Sequence, residues 1–501
     1  MGEITKKEFA ALLAVLLLGA IVISLQWRDP VDDAYVSFVY ARNLAEGRGL
    51  TFNPGEKIEG YSNFAWVMIL AALHGVAPVP GASQALGFLL GISNILLLFL
   101  VARECDLGAK SLAVTALYAC DLRAAAWSVE GLETPLYVFS ILLTILLYLK
   151  KRSGGLWAIP ALLAAMTRPE GAVVFMAAAI HRCWRILRER GRPDRPDWVA
   201  AAVFCVPFLI YNLWRIRYFG SILPNTFYAR GGARGPIFGL IYMFFTLWRG
   251  WGILSLIMLL LFVVGITRRG AGAGEGLMVF WLATGVVVML ATGGDWMPNG
   301  RFFVPLLPAV YIFCVRGAEK MRFKEKRSGY FFLAVLLAVN LAGVIGYEMG
   351  NSFDKRWSRN QSSFYMPVAE WLNEHHARGH KVVLSDVGYI TYYSGIYVID
   401  TLGLTNRRLA RVPGGSAWAT DLDYVFDQKP EYIIRMERAY DGGGILGHVA
   451  FDREVIKDPR FFKEFKEIAA IRGYRATERS LADFIKRSYE VTFRIYRVVS
   501  P

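Results

Sequence analysis

Residues 6–42 read KKEFAALLAVLLLGAIVISLQWRDPVDDAYVSFVYAR, and this segment holds the two features on which the architecture depends. The first is the apolar run of residues 9–25, since a helix needs about 17–25 mostly apolar residues to cross a bilayer. Lysines precede the run and no small-residue cleavage site follows it, so we predict a retained membrane span rather than a signal peptide. The second is a pair of adjacent aspartates, Asp32 and Asp33, which follows that span.

The composition of all 501 residues extends the membrane prediction. Hydrophobic residues make up 55% of the chain and charged residues 19%, whereas about a quarter of a soluble domain is charged. This balance excludes a soluble globular protein, a disordered chain and a small disulfide scaffold. The net charge of +15 is compatible with nucleic acid, but the apolar runs favour membrane lipids as partners, and no nucleic acid is expected.

About eleven apolar runs meet the length criterion for a membrane span. After residues 9–25 they cover residues 82–102, 111–127, 134–149, 156–166, 171–180, 198–214, 252–266, 276–291, 302–315 and 330–347. Loops rich in Lys and Arg favour the cytoplasmic side. If the N-terminus is cytoplasmic, all the basic loops lie on that side only when residues 64–75 and 236–248 do not cross the membrane. We therefore predict that these two stretches are helices lying along the outer interface.

The character of the sequence changes after residue 347. Strand-like runs at residues 381–384, 397–399, 432–434 and 491–499 alternate with amphipathic helical stretches at residues 366–376 and 459–469. We predict an α-helical polytopic membrane domain over residues 1–348 and a soluble α/β domain over residues 349–501. Because the number of spans is odd, the α/β domain is expected outside the membrane, on the side opposite the N-terminus.

Asp32 and Asp33 lie just above the predicted membrane surface. One aspartate could cap the following helix by accepting backbone N–H bonds, but only one residue can be the cap. The alternative is a functional pair, since such a carboxylate suits a general base or a cation ligand. The sequence leaves both alternatives open. By itself, the nearby stretch of residues 53–66, which contains Tyr61 and Asn63, is typical of an ordinary surface loop.

Charged residues also mark two short segments between apolar helices. Glu130 and Glu133 lie at an outer span boundary, where Glu133 could simply favour the positive end of the next helix. Arg168 and Glu170 lie between two short helices. Since a charge at the bilayer centre costs about 2.5–3.5 kcal/mol, we expect this pair to face a polar cavity or the outer interface. The alternative is an ion pair that only closes a helical hairpin.

Residues 215–249 hold an acid-free group of arginines, namely Arg215, Arg217, Arg230, Arg234 and Arg249. Positive charge on the outer side is disfavoured, which indicates a local function. Guanidinium forks match phosphate oxygens, so we prefer a specific lipid-phosphate site to general contact with anionic headgroups. Asp295 and Arg301 add another carboxylate and guanidinium on the same side.

A set of segments in fixed order resembles the GT-C glycosyltransferases, and most closely the branch of the terminal arabinofuranosyltransferases. The segments are DDAYVSF (32–38), ARNL (41–44), GLTFNPGE (49–56), EGYSNF (59–64), EGLETP (130–135), TRPEG (167–171), LPNTFY (223–228), GGDWM (293–297), RFF (301–303), DVGYI (386–390) and IDTLGL (399–404). The resemblance implies two interfacial helices in the first outer loop and an active site at the outer membrane surface.

The resemblance also implies roles for residues of these motifs. Asp32 and Asp33 would bear the catalytic carboxylate. The donor phosphate would be held by basic and neighbouring residues, namely Arg168, Glu170, Arg215, Arg217, Arg230, Arg234 and Arg301. Substrate contacts would come from Tyr61, Asn63, Glu130, Glu133, Asn225, Tyr228 and Asp295.

These observations predict a glycosyltransferase of a bacterial plasma membrane with its active site on the extracytoplasmic face. It would move a sugar, arabinofuranose by nearest resemblance, from a polyprenyl-phosphate donor to a glycan, lipid or protein acceptor. A divalent cation stays open, and no nucleotide cofactor is expected because the glycine run at residues 270–276 does not follow a strand. A lipid or glycan transporter and a membrane receptor with residues 350–501 as its binding module are the alternatives.

Overall fold

The computed structural model describes residues 4–150, 154–229, 235–267, 272–295, 297–321, 327–349, 361–413, 415, 418–440, 445–447, 449–479 and 486–499. Within these ranges the part of the chain before residue 350 is helical, and every strand follows residue 380. The predicted combination of a helical membrane part and a C-terminal sheet is therefore observed. The predicted domain boundary between residues 348 and 349 stays a prediction.

The helical part contains sixteen described α-helices. They are α1 Lys6–Leu25, α2 Asp32–Ala45, α3 Phe64–Leu73, α4 Val79–Glu104, α5 Ser111–Ala119, α6 Leu122–Val129, α7 Thr134–Leu149, α8 Ala158–Thr167, α9 Ala172–Arg188, α10 Arg195–Phe219, α11 Asn225–Ala229, α12 Pro236–Trp251, α13 Ser255–Thr267, α14 Ala273–Thr292, α15 Leu307–Lys320 and α16 Arg327–Met349. We call residues 26–78, which join α1 to α4 and carry α2 and α3, the first connection.

Five described helices are long and apolar enough to cross a membrane, or seven spans result if each of two bent helix pairs is one span. The protein is therefore a multi-pass membrane protein, but the predicted count of about eleven spans is not confirmed. One reason is that the run of residues 111–127 is interrupted, because α5 ends at Ala119 and α6 begins at Leu122. Several helices also expose apolar side chains, such as Leu209 and Ile210 of α10.

The two stretches predicted to lie along the interface both form helices. Residues 64–73 form α3, and residues 236–251 form α12. The helix α12 bends by 111° into α13. Their depth in a membrane, and the side of the membrane on which each loop lies, stay predictions.

Two glycines allow α13 and α15 to pack backbone against backbone. A Cβ added at Gly265 would lie 1.9 Å from the carbonyl oxygen of Phe313, and one at Gly317 would lie 1.8 Å from that of Leu261. Such close approach through small residues is typical of helix association in membranes. This contact helps to fix α15, which follows directly on the polar segment around Arg301.

The C-terminal part is a mixed sheet with short helices. Its elements are α17 Gln361–Glu374, β1 Lys381–Leu384, α18 Gly388–Ser394, β2 Tyr397–Asp400, α19 Leu422–Asp427, β3 Tyr432–Tyr440, β4 Ile445–Gly447, α20 Ala450–Glu454, α21 Pro459–Glu464, β5 Phe465–Arg479 and β6 Lys486–Val498. The strand order is β2-β1-β3-β6-β5, with β4 paired to β3. The strand β1 is parallel to β2 and β3, whereas β6 is antiparallel to β3 and β5.

The predicted strands at residues 381–384, 397–399 and 432–434 are confirmed as parts of β1, β2 and β3, and the one at residues 491–499 is confirmed as far as Val498, where β6 ends. The prediction of helix over residues 459–469 is only partly correct, because α21 ends at Glu464 and β5 begins at Phe465. Phe465 pairs with Val498 of β6. Pairing with a long neighbouring strand outweighs the local amphipathic pattern, which ignores long-range partners.

The C-terminal part packs on the first connection. Asn53 donates to the carbonyl of Val398 at 2.8 Å and accepts from its N–H at 2.9 Å, so β2 is fixed to the first connection by a two-bond contact. The ring of Tyr35 on α2 lies 4.6 Å from that of Tyr389 on α18. The guanidinium of Arg42 donates to the carbonyl of Tyr392. The first connection is therefore fixed to β2 and α18 of the C-terminal part by both hydrogen bonds and aromatic contacts.

Candidate active site

The aspartate pair opens α2. Val31 is the N-cap, and no side chain caps this helix, so the hypothesis that one aspartate is the cap is wrong. Asp32 is buried and accepts the N–H of Tyr389 at 2.7 Å on Oδ1 and that of Gly388 at 3.3 Å on Oδ2. Asp33 is half-buried. Each aspartate therefore has a different environment.

Burial, together with the charges of Asp386 and Asp33, raises the pKa of Asp32 well above its ordinary value. The amides of Tyr389 and Gly388 oppose this shift by donating to the charged form. Both oxygens of Asp32 are thus occupied by the backbone of the C-terminal part, in a region of concentrated negative charge.

Glu133 is the centre of a polar network that reaches three helices. Its Oε1 accepts from Nη1 of Arg168 at 3.1 Å, and its Oε2 accepts from the amide of Asn63 at 2.9 Å. Asn63 in turn hydrogen-bonds the hydroxyl of Ser37 on α2 at 3.0 Å. Nε of Arg168 donates to Glu170 at 2.5 Å. The structure therefore brings four predicted site residues together and connects them to the helix that carries the aspartates.

Both alternatives for Arg168 and Glu170 are realised in part. The ion pair is present, yet it lies in the turn between α8 and α9 beside a small cavity rather than only closing the hairpin. Arg168, Glu170, Tyr137 and Phe302 are among its lining residues, and its volume is about 30 Å³. That volume accommodates roughly one or two water molecules, so the cavity fits a small polar group and not a whole sugar.

Phe302 lies between two buried arginines. The guanidinium carbon of Arg168 is 4.6 Å from the ring centroid, and that of Arg301 is 5.5 Å from it. Arg301 also donates from Nε to Asp295 at 2.7 Å. Aromatic faces stabilise such cations when water is excluded. Asp295 and Arg301 thus form a second ion pair. It lies close to the first pair, because Arg168 and Arg301 both contact the ring of Phe302.

One arginine of the acid-free group, Arg215, has a carboxylate partner that the sequence did not predict. Arg215 is buried and donates from Nη1 to Glu59 at 3.2 Å, and also to the carbonyl of Ile222. The expectation that no carboxylate neutralises it is therefore wrong: the partner comes from the first connection, which local sequence cannot reveal. Arg217 is exposed. Two further predicted ligands lie outside the described residues, namely Arg230 and Arg234.

Burial raises the pKa of Glu59 to about 7, and the charge of Arg215 opposes this shift. Tyr61, two residues away, is buried against the ring of Tyr40 at 4.8 Å. Its hydroxyl has no hydrogen-bond partner within the described part of the chain. In this region the first connection is therefore packed against α10, with Glu59 paired to Arg215 and Tyr61 buried.

Three other predicted substrate residues have structural contacts. Asn225 donates to the carbonyl of Gly403 at 2.6 Å, and the guanidinium of Arg411 lies 4.2 Å from the ring centroid of Tyr228. Both therefore join α11 to the C-terminal part. Glu130 is buried, and its backbone carbonyl accepts the N–H of Val31. These contacts do not connect the three residues to the Glu133 network.

A buried charged cluster that the sequence analysis missed lies at the break between α5 and α6. Asp121 forms an ion pair with Arg123 and accepts from the hydroxyl of Tyr311 at 2.6 Å. Asn340 donates to the same hydroxyl, and the Arg123 guanidinium lies 3.7 Å from the ring centroid of Trp251. The available signal was a pair of opposite charges close to the end of an apolar run.

A larger cleft of about 1120 Å³ lies where the first connection meets the C-terminal part. Its lining includes ion pairs such as Arg408 with Asp421 and Arg460 with Asp423. The four arginines of the lining are matched by five carboxylates, so the cleft has no excess positive charge and suits a neutral polar ligand better than a phosphate. Among the described residues, no group of three or more His, Cys, Asp or Glu side chains could hold a metal ion.

Comparisons with solved structures find a similar overall fold in membrane glycosyltransferases. The oligosaccharyltransferase of Archaeoglobus fulgidus in its apo form matches with a TM-score of 0.56 at 11% identity, covering 89% of this chain and 75% of that one. ArnT from Cupriavidus metallidurans bound to undecaprenyl phosphate matches with a TM-score of 0.54 at 12% identity, covering 85% and 92%. This chain has the GT-C fold.

The GT-C fold also appears in the arabinofuranosyltransferase AftD from Mycobacteria, with a TM-score of 0.51 at 14% identity. The match covers 100% of this chain and 42% of that one. A family model described as a domain of unknown function, DUF8728, matches residues 355–495. No curated protein matches the chain. The GT-C resemblance is thus confirmed at the level of fold, and its arabinofuranosyltransferase branch stays a prediction.

Proposed function

We propose that the protein is a glycosyltransferase that moves a sugar from a polyprenyl-phosphate donor to a hydroxyl acceptor. The observation that carries this proposal is the continuous polar network from Ser37 of α2 through Asn63 and Glu133 to Arg168. It couples the helix that bears the aspartates to a guanidinium beside a cavity. The GT-C fold, shared with ArnT bound to undecaprenyl phosphate, supports the donor class.

Asp33 is our candidate for the general base that accepts the proton of the acceptor hydroxyl. Each oxygen of Asp32 already accepts a backbone N–H group and the side chain is only 7% exposed, so an acceptor hydroxyl has little room to approach this carboxylate. Asp33 is next to it and only half-buried. A base must come within hydrogen-bond reach of the proton that it takes, and partial exposure permits this approach.

Arg168 and Arg301 are our candidates for the donor-phosphate ligands. The leaving phosphate gains negative charge as the sugar bond breaks, so a fixed guanidinium stabilises the transition state more than the ground state. Arg168 donates to carboxylates through Nε and Nη1. Within the described residues its Nη2 donates to no acceptor, so Nη2 is the atom that we expect to contact the phosphate. Its carboxylate partners hold the guanidinium in place before the donor arrives.

The site belongs on the extracytoplasmic face of the plasma membrane, as the distribution of basic loops indicates. Arabinofuranose is the sugar that we propose on the basis of the motif resemblance, and the fold likeness to the arabinofuranosyltransferase AftD is compatible with this choice. The neutral cleft between the first connection and the C-terminal part favours a glycan acceptor over an anionic lipid headgroup.

The test is sugar transfer by the purified full-length chain in lipid nanodiscs. The donor is polyprenyl-phosphate arabinofuranose with a radiolabelled sugar, and the acceptor is glycan extracted from the host envelope. We expect transfer by the wild type and loss of transfer in Asp33→Asn, with an unchanged melting temperature. A second donor arm, polyprenyl-phosphate mannose, tests the choice of sugar. Absence of transfer from both donors would contradict the proposal.

A transporter is the second candidate, because a buried charged pair in a broken helix is a feature of transport pathways. Asp121 and Arg123 are such a pair. Reconstituted vesicles that contain fluorescent polyprenyl phosphate distinguish the two classes. Faster movement of this lipid between leaflets, without any transfer of sugar, would favour the transporter.

A further inference from the structure

Gly388 and Tyr389 contact Asp32 of the aspartate pair although they belong to the C-terminal part. The N–H of Tyr389 donates to Oδ1 of Asp32 at 2.7 Å, and the N–H of Gly388 donates to Oδ2 at 3.3 Å. Asp32 is only 7% exposed, so little water reaches its carboxylate and the two backbone amides serve as its hydrogen-bond donors. A carboxylate with both oxygens engaged has a fixed orientation.

The same segment is held firmly from its own side. The hydroxyl of Tyr365 on α17 donates to Asp386 at 2.7 Å, and Tyr365 is almost completely buried. The ring of Tyr389 lies 5.9 Å from that of Tyr365 and 4.6 Å from that of Tyr35 on α2. Tyr365, Tyr389 and Tyr35 therefore form a continuous row of aromatic contacts from the C-terminal part to the first connection.

Gly388 shows how closely the two parts approach. A Cβ added there would lie 2.0 Å from the backbone carbonyl oxygen of Asp32 and 3.1 Å from its Oδ1. The closest atom belongs to backbone, so it cannot rotate away. The φ angle of Gly388 is not in the positive region, and alanine is a good helix former. An alanine at this position is therefore opposed by contact with Asp32 and not by its own backbone.

We propose that Gly388 and Tyr389 are positioning residues of the glycosyl-transfer site. Their backbone amides hold Asp32, and Asp32 in turn fixes the first turn of α2 and the direction of Asp33. The fold matched by the DUF8728 model would then be required for catalysis itself and not only for binding an acceptor. This inference rests on the proposed function, because the positioned group is the proposed general base.

The experiment uses the full-length chain in nanodiscs with the labelled polyprenyl-phosphate arabinofuranose and the envelope glycan. The variants are Gly388→Ala and Asp32→Asn. The matched control is Gly81→Ala, since Gly81 lies in α4, has no positive φ and would bring its Cβ within 4 Å of nothing. Two quantities are measured: the turnover number with its KM for the donor, and the hydrogen–deuterium exchange of the peptide covering residues 386–394.

We expect Gly388→Ala to lower kcat at least tenfold with the donor KM changed less than twofold, and to accelerate exchange at residues 388–389. Asp32→Asn keeps the side-chain volume but can accept only one amide well, so it should show the same pattern if Gly388→Ala fails to fold. Gly81→Ala should match the wild type in both measurements.

Wild-type turnover in Gly388→Ala or Asp32→Asn would overturn the inference, whether or not exchange changes. Unchanged exchange in both variants would also overturn it, because the contact would then not hold the segment. A wild type that transfers no sugar would instead remove the proposed function. The two failures are therefore distinguishable.

Discussion

The helical part contains two buried ion-pair clusters that use the same chemistry in different surroundings. In the first, Arg168 binds Glu133 and Glu170, lies against Phe302 and borders a cavity. In the second, Asp121 and Arg123 are enclosed by side chains, and the pair connects α5, α6, α15 and α16. Burial of charge alone therefore does not identify a functional site. The distinguishing feature is access to a space that a ligand can enter.

The enclosed cluster should give the largest effect on stability. Asp121→Ala leaves the buried guanidinium of Arg123 without its partner, and breaking a buried pair in this way costs about 3–5 kcal/mol. We expect a large loss of folded protein, measured as the melting temperature in detergent, with normal turnover per folded molecule. Ser93→Ala is the control, since the Ser93 hydroxyl only bonds an exposed carbonyl of its own helix.

A variant Asp121→Ala that melts normally but has no turnover would reverse the comparison, because the enclosed cluster would then act in catalysis or transport. The double variant Asp121→Ala/Arg123→Ala should recover part of the lost stability, since no buried charge is then left unpaired.

The open cluster should give the largest effect on turnover. Arg168→Lys keeps the positive charge but loses the planar fork of donors. We expect kcat to fall by about 100-fold, the scale of removing one preorganised donor to transition-state charge, with little change in melting temperature. Turnover is measured at saturating donor. Near-normal turnover in Arg168→Lys would place the phosphate elsewhere.

The pair of Glu59 and Arg215 tests an intermediate case through its pH dependence. Because burial raises the pKa of Glu59 from 4.5 to about 7, its contribution to stability is complete below the unfolded pKa and is lost as pH rises through the folded pKa. Relative to Glu59→Gln, the wild type should lose about 2 kcal/mol between pH 5 and pH 8, at 1.36 kcal/mol for each pKa unit. Melting curves of both proteins across this range provide the measurement, and parallel curves would exclude this titration.

The smallest effect is expected at Arg217, which is exposed beside the buried Arg215. Arg217→Ala should change stability by no more than about 0.5 kcal/mol, as is usual for surface substitutions, and should leave kcat unchanged. A tenfold loss of kcat would restore the predicted phosphate site to this stretch.

Local patterns predicted the elements whose causes are local. The strands β1, β2 and β3 follow short apolar runs. The motif order predicts Asn63, Glu133, Arg168 and Glu170 as site residues, and these four side chains are connected in the structure. The interruption at Cys120 was not predicted, because the apolar character of α5 continues into α6. A hydropathy pattern records how apolar a segment is and not where its backbone bends.

Contacts between residues that are distant in sequence were the second kind of feature that the sequence did not predict. Glu59 and Arg215 are 156 residues apart, so the acid-free character of residues 215–249 gave a false impression of unpaired charge. Likewise, nothing near Asp32 indicates that two amides of α18 occupy its oxygens. The first contact depends on how the first connection packs on α10, and the second on how it packs on the C-terminal part, so both are tertiary information.

The separation of 356 residues between Asp32 and Gly388 has a consequence for the biosynthesis of the protein. At the usual elongation rate of about 5–20 residues per second, roughly 20–70 s pass between synthesis of the aspartate and synthesis of the amides that hold it. During this interval the nascent chain already carries its first membrane helices but lacks the groups that fix Asp32. On the proposed positioning role of Gly388 and Tyr389, we expect chains that end before residue 388 to transfer no sugar, and the proposed site to form only after the C-terminal part has been synthesised and folded.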